Sequence, residues 1–243
     1  MRLRASTDPG ELDADLVIVA CKGNDLEAVA ERLTGQFREA TVMTTQNGLG
    51  AEEIVASRGD WPLLSSVTFM SGTKHGDTHV EYILDTATWV GPYRATTVDD
   101  ARTVAGLLVE AGLKAEAFDD LRPAQWSKLI FNATVNGVAA LTGLPHDPHF
   151  AEPPLGDLVH ALIDEGKSAA PACADDPWEM NVLATQRGHA HRPSMLEDVE
   201  AGRPTEVELI NGSLVREARQ RGVPVPLQEA LYALVKGKEA SYS

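Results

Sequence analysis

Lys128, Asn132 and Asn136 follow one another at intervals of four, so a helix would align them as one slowly drifting polar stripe. Their neighbours Trp126, Leu129, Ile130, Phe131, Val135 and Val138 are apolar. A stripe of one ammonium and two amides on an otherwise buried helix is unusual. An ammonium can stabilise negative charge developing on an oxygen and deliver a proton to it. Amides can hold a small, oxygen-rich acid without adding charge. A second segment, Pro193-Ser194-Met-Leu-Glu-Asp198-Val-Glu-Ala-Gly202-Arg203-Pro204-Thr205-Glu206, carries a hydroxyl and a carboxylate. Gly202 suits a turn and Pro204 a helix opening, which predicts Glu206 in a helical first turn, where the dipole favours its ionised form. A third, Gln46-Asn47-Gly48, ends a short strand. Taken singly, each has a plainer role. Lys128 would be a snorkelling lysine and the asparagines satisfied core amides. Glu206 would be an ordinary first-turn glutamate, Ser194 a cap, and Gln-Asn-Gly a turn.

The elements that must position these groups change character part-way along the chain. Asp15–Ala20 is a continuous aliphatic run, the pattern of a strand buried on both faces of a parallel sheet. Helical spacing follows over 25–37, a strand over 41–45, a helix over 51–57 and a strand over 63–70. Residues 79–84 and 87–91 read as antiparallel strands with Asp85-Thr86 as their turn. A helix over 99–111 ends at Gly112, and 113–118 returns as a strand. This succession predicts a doubly wound α/β sheet over residues 1–120. Beyond Asp120 the strand signals stop. Helical patterns over 123–142, 154–170, 178–187, 205–221 and 226–240 predict an all-α domain over 121–243.

One expected part is missing. A dinucleotide-binding sheet opens with a strand, a Gly-x-Gly-x-x-Gly turn and a helix whose N-terminus holds the pyrophosphate. The sequence has no such turn. Gly48-Leu-Gly50-Ala-Glu-Glu53 has two of the glycines, but two carboxylates follow where a phosphate would sit. The sheet is therefore expected to be partial and Rossmann-like, lacking its first βαβαβ half of about 50–70 residues. Met1 would then be a misassigned start or the beginning of a fragment, and the first strand an exposed aliphatic edge.

Three motifs in this order resemble the ketopantoate reductase family: Gln-Asn-Gly, then Lys-x-x-x-Asn-x-x-x-Asn, then Ser-Met-x-x-Asp-x-x-x-Gly-Arg-x-Thr-Glu. Glu208-Leu-Ile-Asn-Gly212, Gly222-Val-Pro-Val-Pro226 and a final helix ending in Lys238-Glu239 are similar too, so the likeness runs from about Asp15 to Tyr242. The resemblance implies an NADP-dependent reduction of 2-dehydropantoate to pantoate in pantothenate biosynthesis. It implies Lys128 as the general acid and Glu206 as the carboxylate that orients it. Asn132, Asn136 and Ser194 would hold substrate, and Lys22 and Asn47 would line the cofactor side. The first half becomes a partial dinucleotide-binding domain, and the second a domain for substrate and dimerisation, possible partners being the small 2-keto acid and a second copy of the chain. A reductase of a different 2-keto acid, and a truncated non-catalytic relative that binds an acid or a protein, are the alternative readings.

Composition excludes other classes. Of 243 residues, 43% are hydrophobic and 23% charged, as in globular proteins. The formal net charge of −15 opposes a nucleic-acid backbone or an anionic membrane surface as partner. The aliphatic run 16–21 is far too short to span a bilayer. No basic segment followed by an apolar one opens the chain. Two cysteines, Cys21 and Cys173, fit a reduced, cytoplasmic setting better than a disulfide framework. His146-Asp-Pro-His149 and His189-Ala-His191 have no recognised zinc spacing and read as loop histidines, so no metal is expected. No Gly-x-Ser-x-Gly nucleophile elbow occurs.

Overall fold

The computed structural model describes residues 4–186 and 191–242. It divides into two compact units: the chain up to Gln46 with Ala51–Leu121, and Asn47–Gly50 with the chain from Arg122 onward.

The first unit is built on β1 (Leu16–Val19), α1 (Leu26–Leu33), β2 (Thr41–Thr44), α2 (Ala51–Ala56), β3 (Leu63–Thr68), β4 (Ser71–Gly76), β5 (His79–Leu84), β6 (Thr88–Arg94), α3 (Val98–Glu110) and β7 (Ala115–Ala117). Five strands form one sheet in the order β1-β2-β3-β6-β7. The first three are parallel, β6 runs antiparallel to β3, and β7 is parallel to β6. Successive residues of a strand face opposite sides, and both sides are covered. Val42 and Leu63 join Leu26, Ala30 and Val55 on one face, while Met43, Leu64 and Val90 join Ala101, Val104 and Ala105 on the other. The aliphatic runs of the sequence reflect this two-sided burial. The α3 helix opens on a capping box in which Thr97 and Asp100 each bond the other's backbone N–H. At the edge, β1 has β2 as its one strand neighbour among the described residues, and Ile18 is 44% exposed.

The expected hairpin across Asp85-Thr86 does not form. β5 pairs instead with β4, around Asp77-Thr78, as a separate two-stranded ribbon. Burial explains the split: Thr88, Val90 and Gly91 of β6 are buried in the main sheet, while most of β5 is exposed. The partner strand β4, Ser-Gly-Thr-Lys-His-Gly, has no apolar alternation by which a strand is recognised.

The second unit is helical: α4 (Arg122–Thr142), α5 (Leu155–Ala169), α6 (Pro177–Thr185), α7 (Ser194–Glu200), α8 (Ser213–Gln220) and α9 (Pro226–Glu239). The 21-residue α4 is its axis, with α5, α6, α7 and α9 packed around it. Trp126, Leu129, Ile130, Ala133, Val138 and Ala139 of α4 meet Leu162, Ile163, Leu196, Leu214 and Leu231 in one core. A helix apolar on most sides belongs in such a central position. The Glu165 carboxylate of α5 accepts from the Leu227 and Gln228 amides and so caps α9. No described helix is long and apolar enough to cross a membrane.

Two expectations here need correction. The helix read over 205–221 begins later, with a π-helical turn over Glu208–Gly212 that leads into α8. The backbone N–H and hydroxyl of Thr205 are both bonded to Glu239, which holds the preceding residues outside the helix. Residues 194–200, given no element from the sequence, form α7. Arg187 and His189 lie outside the described residues.

Candidate functional site

On α4, Lys128, Asn132 and Asn136 occupy successive turns, about 6 Å apart along the axis. Asn132 and Asn136 are 8% and 6% exposed. Neither amide makes a side-chain hydrogen bond within the described residues, although other buried polar groups of this unit do. Ser127, on the same helix, donates to the Pro123 and Asp175 carbonyls and accepts from the Asp175 amide. The Nδ2 of Asn211 donates to the Ala133 carbonyl at 2.7 Å. Asn181 donates to the Phe150 carbonyl and bonds His146 at 2.8 Å. The polar atoms of Asn132 and Asn136 keep solvent access, unlike the buried, unpartnered Oδ1 of Asn211 and Oε1 of Gln228, so the stripe offers two open amides.

Lys128 stands at the head of this pair. Desolvation is the largest influence on its ammonium and lowers its pKa to about 8, while the Glu206 carboxylate acts in the opposite direction. The residue still keeps some accessible surface. It is therefore surrounded by protein yet reachable. Glu206, 8% exposed, lies at a bend ahead of the π turn. The first-turn dipole expected from the sequence does not account for it, because the helix starts after it.

The path to Glu206 explains the spacing of its motif. Gly202, at φ +61°, ends α7, and the Gly202 and Arg203 amides return to the Val199 and Asp198 carbonyls. The Arg203 side chain folds back onto the buried Asp198 carboxylate, Nε to Oδ1 at 3.0 Å. Asp-x-x-x-Gly-Arg is thus a helix-terminating clasp that turns the chain toward Thr205 and Glu206. Ser194, the first residue of α7, is exposed and makes no side-chain bond within the described residues.

Asn47 belongs to this same helical unit. The π turn, closed by Gly212 N–H donating to the Val207 carbonyl, leaves the Leu209 carbonyl to accept from the Leu49 amide at 3.0 Å. Gly48 has φ +94°, and a Cβ there would lie 1.7 Å from the Leu209 oxygen. Only glycine fits. Gln-Asn-Gly is therefore more than a turn: it seats Asn47 on the segment that follows Glu206. Gln46 bonds the Val19 and Cys21 carbonyls within the first unit. Lys22, also in that unit, is exposed at the turn after β1.

The buried side of the Gly48–Gly50 turn bears on cofactor binding. Gly48 and Gly50 have φ of +94° and +105°, with Gly48 packed against Leu209, and α2 then begins with Glu52 and Glu53 in its first turn. Glu52 is 3% exposed and accepts from Ser65 Oγ at 2.6 Å. A pyrophosphate does not fit there, because the backbone is occupied and the carboxylates would repel it. His146 is not a surface loop histidine: it is 3% exposed, edge-on to Phe131 and Phe150. Among the described residues no group of three or more His, Cys, Asp or Glu is placed to hold a metal ion.

The family descriptions "Ketopantoate reductase PanE/ApbA" and "Ketopantoate reductase PanE/ApbA C terminal" match residues 2–95 and 120–239. A 2-dehydropantoate 2-reductase of Archaeoglobus fulgidus is 32% identical over 231 residues, 94% of this chain and 78% of that protein. The chain belongs to the ketopantoate reductase family. It is an oxidoreductase of that family with a mixed α/β first domain and a helical second one, as the motifs implied. The crystal structure of the PanE/ApbA family ketopantoate reductase from Ralstonia eutropha superposes with a TM-score of 0.88 at 24% identity, covering 98% of this chain and 80% of that one. D-mandelate dehydrogenase, solved with NADH and anilino(oxo)acetate, gives the same TM-score at 22% identity, covering 96% and 80%. These two likenesses establish the fold.

Proposed function

We propose that this chain reduces 2-dehydropantoate to pantoate, with Lys128 giving the proton to the keto oxygen. The observation that carries the reading is the pair of amides Asn132 and Asn136, without a protein partner and open to solvent, beside an ammonium opposed by burial and supported by Glu206. A 2-oxo acid presents a carboxylate and a carbonyl, and this stripe offers donors to both. As the carbonyl carbon is reduced, charge builds on its oxygen. Lys128 stabilises that charge and supplies the proton. Glu206 sustains the ammonium against desolvation and accepts from a substrate hydroxyl. Asn132 and Asn136 fix the acid, with Ser194 contributing from the start of α7.

A reduced nicotinamide, NADPH in this proposal, supplies the hydride. Asn47 and Lys22 are the residues proposed to face it. Gly48–Gly50 does not fit its diphosphate. NADH bound to the D-mandelate dehydrogenase supports a nicotinamide donor on this scaffold, and the oxo acid in that structure supports a second reading, a different 2-keto acid. The resemblance further implies a homodimer in the cytoplasm, which sedimentation and fractionation would check. The test of the main reading is consumption of NADPH or NADH with a panel of 2-oxo acids. Turnover of 2-dehydropantoate, lost in Lys128→Met, supports it. Equal turnover in that variant refutes the assigned proton donor.

A further inference from the structure

The α9 helix presents Tyr232, Lys236 and Glu239 along one face, and this face grips the chain on both sides of Glu206. Oε1 of Glu239 accepts from the Thr205 backbone N–H and from Thr205 Oγ1, each at 2.7 Å. Thr205 Oγ1 accepts in turn from the Val207 amide at 3.2 Å. On the far side, the Glu208 carboxylate accepts from Tyr232 Oη at 2.9 and 3.0 Å. Lys236 Nζ lies 3.3 Å from Glu208 Oε1 and 3.0 Å from Glu239 Oε2. Residues 205, 207 and 208 are thus tied, directly or through Thr205, to one helix face, while the residue between them, Glu206, is the one whose charge acts on Lys128.

We infer that Glu239 is a positioning residue: by clamping Thr205 it fixes the Glu206 carboxylate against the Lys128 ammonium. The clamp needs an ionised carboxylate. Burial alone raises the Glu239 pKa, but the two Thr205 hydrogen bonds and Lys236 outweigh it and leave the pKa lowered. Thr205 is 2% exposed, so its hydroxyl and amide have little water to turn to if Glu239 is lost. Short hydrogen bonds to a charged acceptor are among the stronger ones. This inference rests on the proposed partnership of Lys128 and Glu206, and its test separates the two claims.

The readout is the titration of Lys128, followed by NMR in protein labelled at the lysine side chains and assigned by the loss of its signal in Lys128→Met. The wild-type midpoint is expected at about 8. Glu206→Gln removes the charge that raises the midpoint, so it should fall by about one unit. Glu239→Ala and Thr205→Val should each move it down by roughly half as much, with Thr205→Ser restoring the wild-type value. A purely structural role would lower the melting temperature of these variants and leave the Lys128 midpoint in place. If Glu206→Gln shifts the midpoint while neither clamp variant does, the positioning role is overturned and the site reading stands. If Glu206→Gln itself has no effect, both fall. Should Glu239→Ala fail to fold, Thr205→Val, which loses only a hydroxyl for a methyl, decides alone.

Discussion

Two sets of buried polar side chains sit around the same long helix and behave oppositely. Ser127, Asn181 and Asn211 spend their donors on carbonyls of neighbouring segments, so they stitch the helical unit together. Asn132 and Asn136 are almost as buried and donate to nothing within the described residues. Residues of both sets are buried, but the amides of Asn132 and Asn136 keep solvent access while the Oδ1 of Asn211 is sealed from it. Two open amides without a protein partner, beside a desolvated lysine, are available to a ligand.

The contrast fails first at Lys128. Lys128→Met is expected to lower the rate of 2-oxo acid reduction by about 10²–10⁴-fold, while thermal melting at neutral pH shows no loss of stability, because a charge opposed by its surroundings has been removed. A melting point several degrees below wild type would place the lysine among the scaffold residues instead. Gly48→Ala comes next. The left-handed φ and the approach to the Leu209 oxygen predict a cost of about 1–3 kcal/mol in urea unfolding. Weakened binding of the nicotinamide cofactor should accompany it as Asn47 is displaced. Asn211→Leu should cost about 0.5–1.5 kcal/mol by removing its hydrogen bond to the Ala133 carbonyl, which stays paired within α4. Asn132→Ala and Asn136→Ala should stay within about 0.5 kcal/mol of wild type and yet weaken acid binding roughly tenfold. Equal stability losses in the two sets would erase the distinction.

The mildest effect is on pH dependence. The folded pKa of Lys128 is lowered from 10.5 to about 8, so between these values the unfolded chain binds the extra proton. This group's contribution to stability therefore rises with pH from about 8 to 10.5 and is flat below that window. The proton donor is lost over the same range, so kcat/KM for reduction should fall as pH rises through about 8. Lys128→Arg, charged throughout, should lose that dependence.

Much of this site was legible in the sequence because it is local. Four-residue spacing within α4 places Lys128, Asn132 and Asn136 together whatever the tertiary fold, and two-sided burial makes the strands of the first unit read as aliphatic runs. Long-range parts were not legible. Glu239 reaches Thr205 across 34 positions, and no local pattern announces that bond or the late helix start it imposes on Glu206. The π turn depends on the Leu209 carbonyl finding Leu49. β4 has a polar sequence, and its ladder to β5 comes from backbone pairing rather than side-chain periodicity. His146 looked like a loop histidine because Asn181 and Phe131 are remote in sequence.

The most direct measurement follows the side-chain NH₂ signals of all asparagines in ¹⁵N-asparagine-labelled protein while pantoate, the hydroxy-acid product, is added. The signals of Asn132 and Asn136 should move together along one binding curve, and those of Asn181 and Asn211 should stay in place. Stationary Asn132 and Asn136 signals under saturating pantoate would contradict the account.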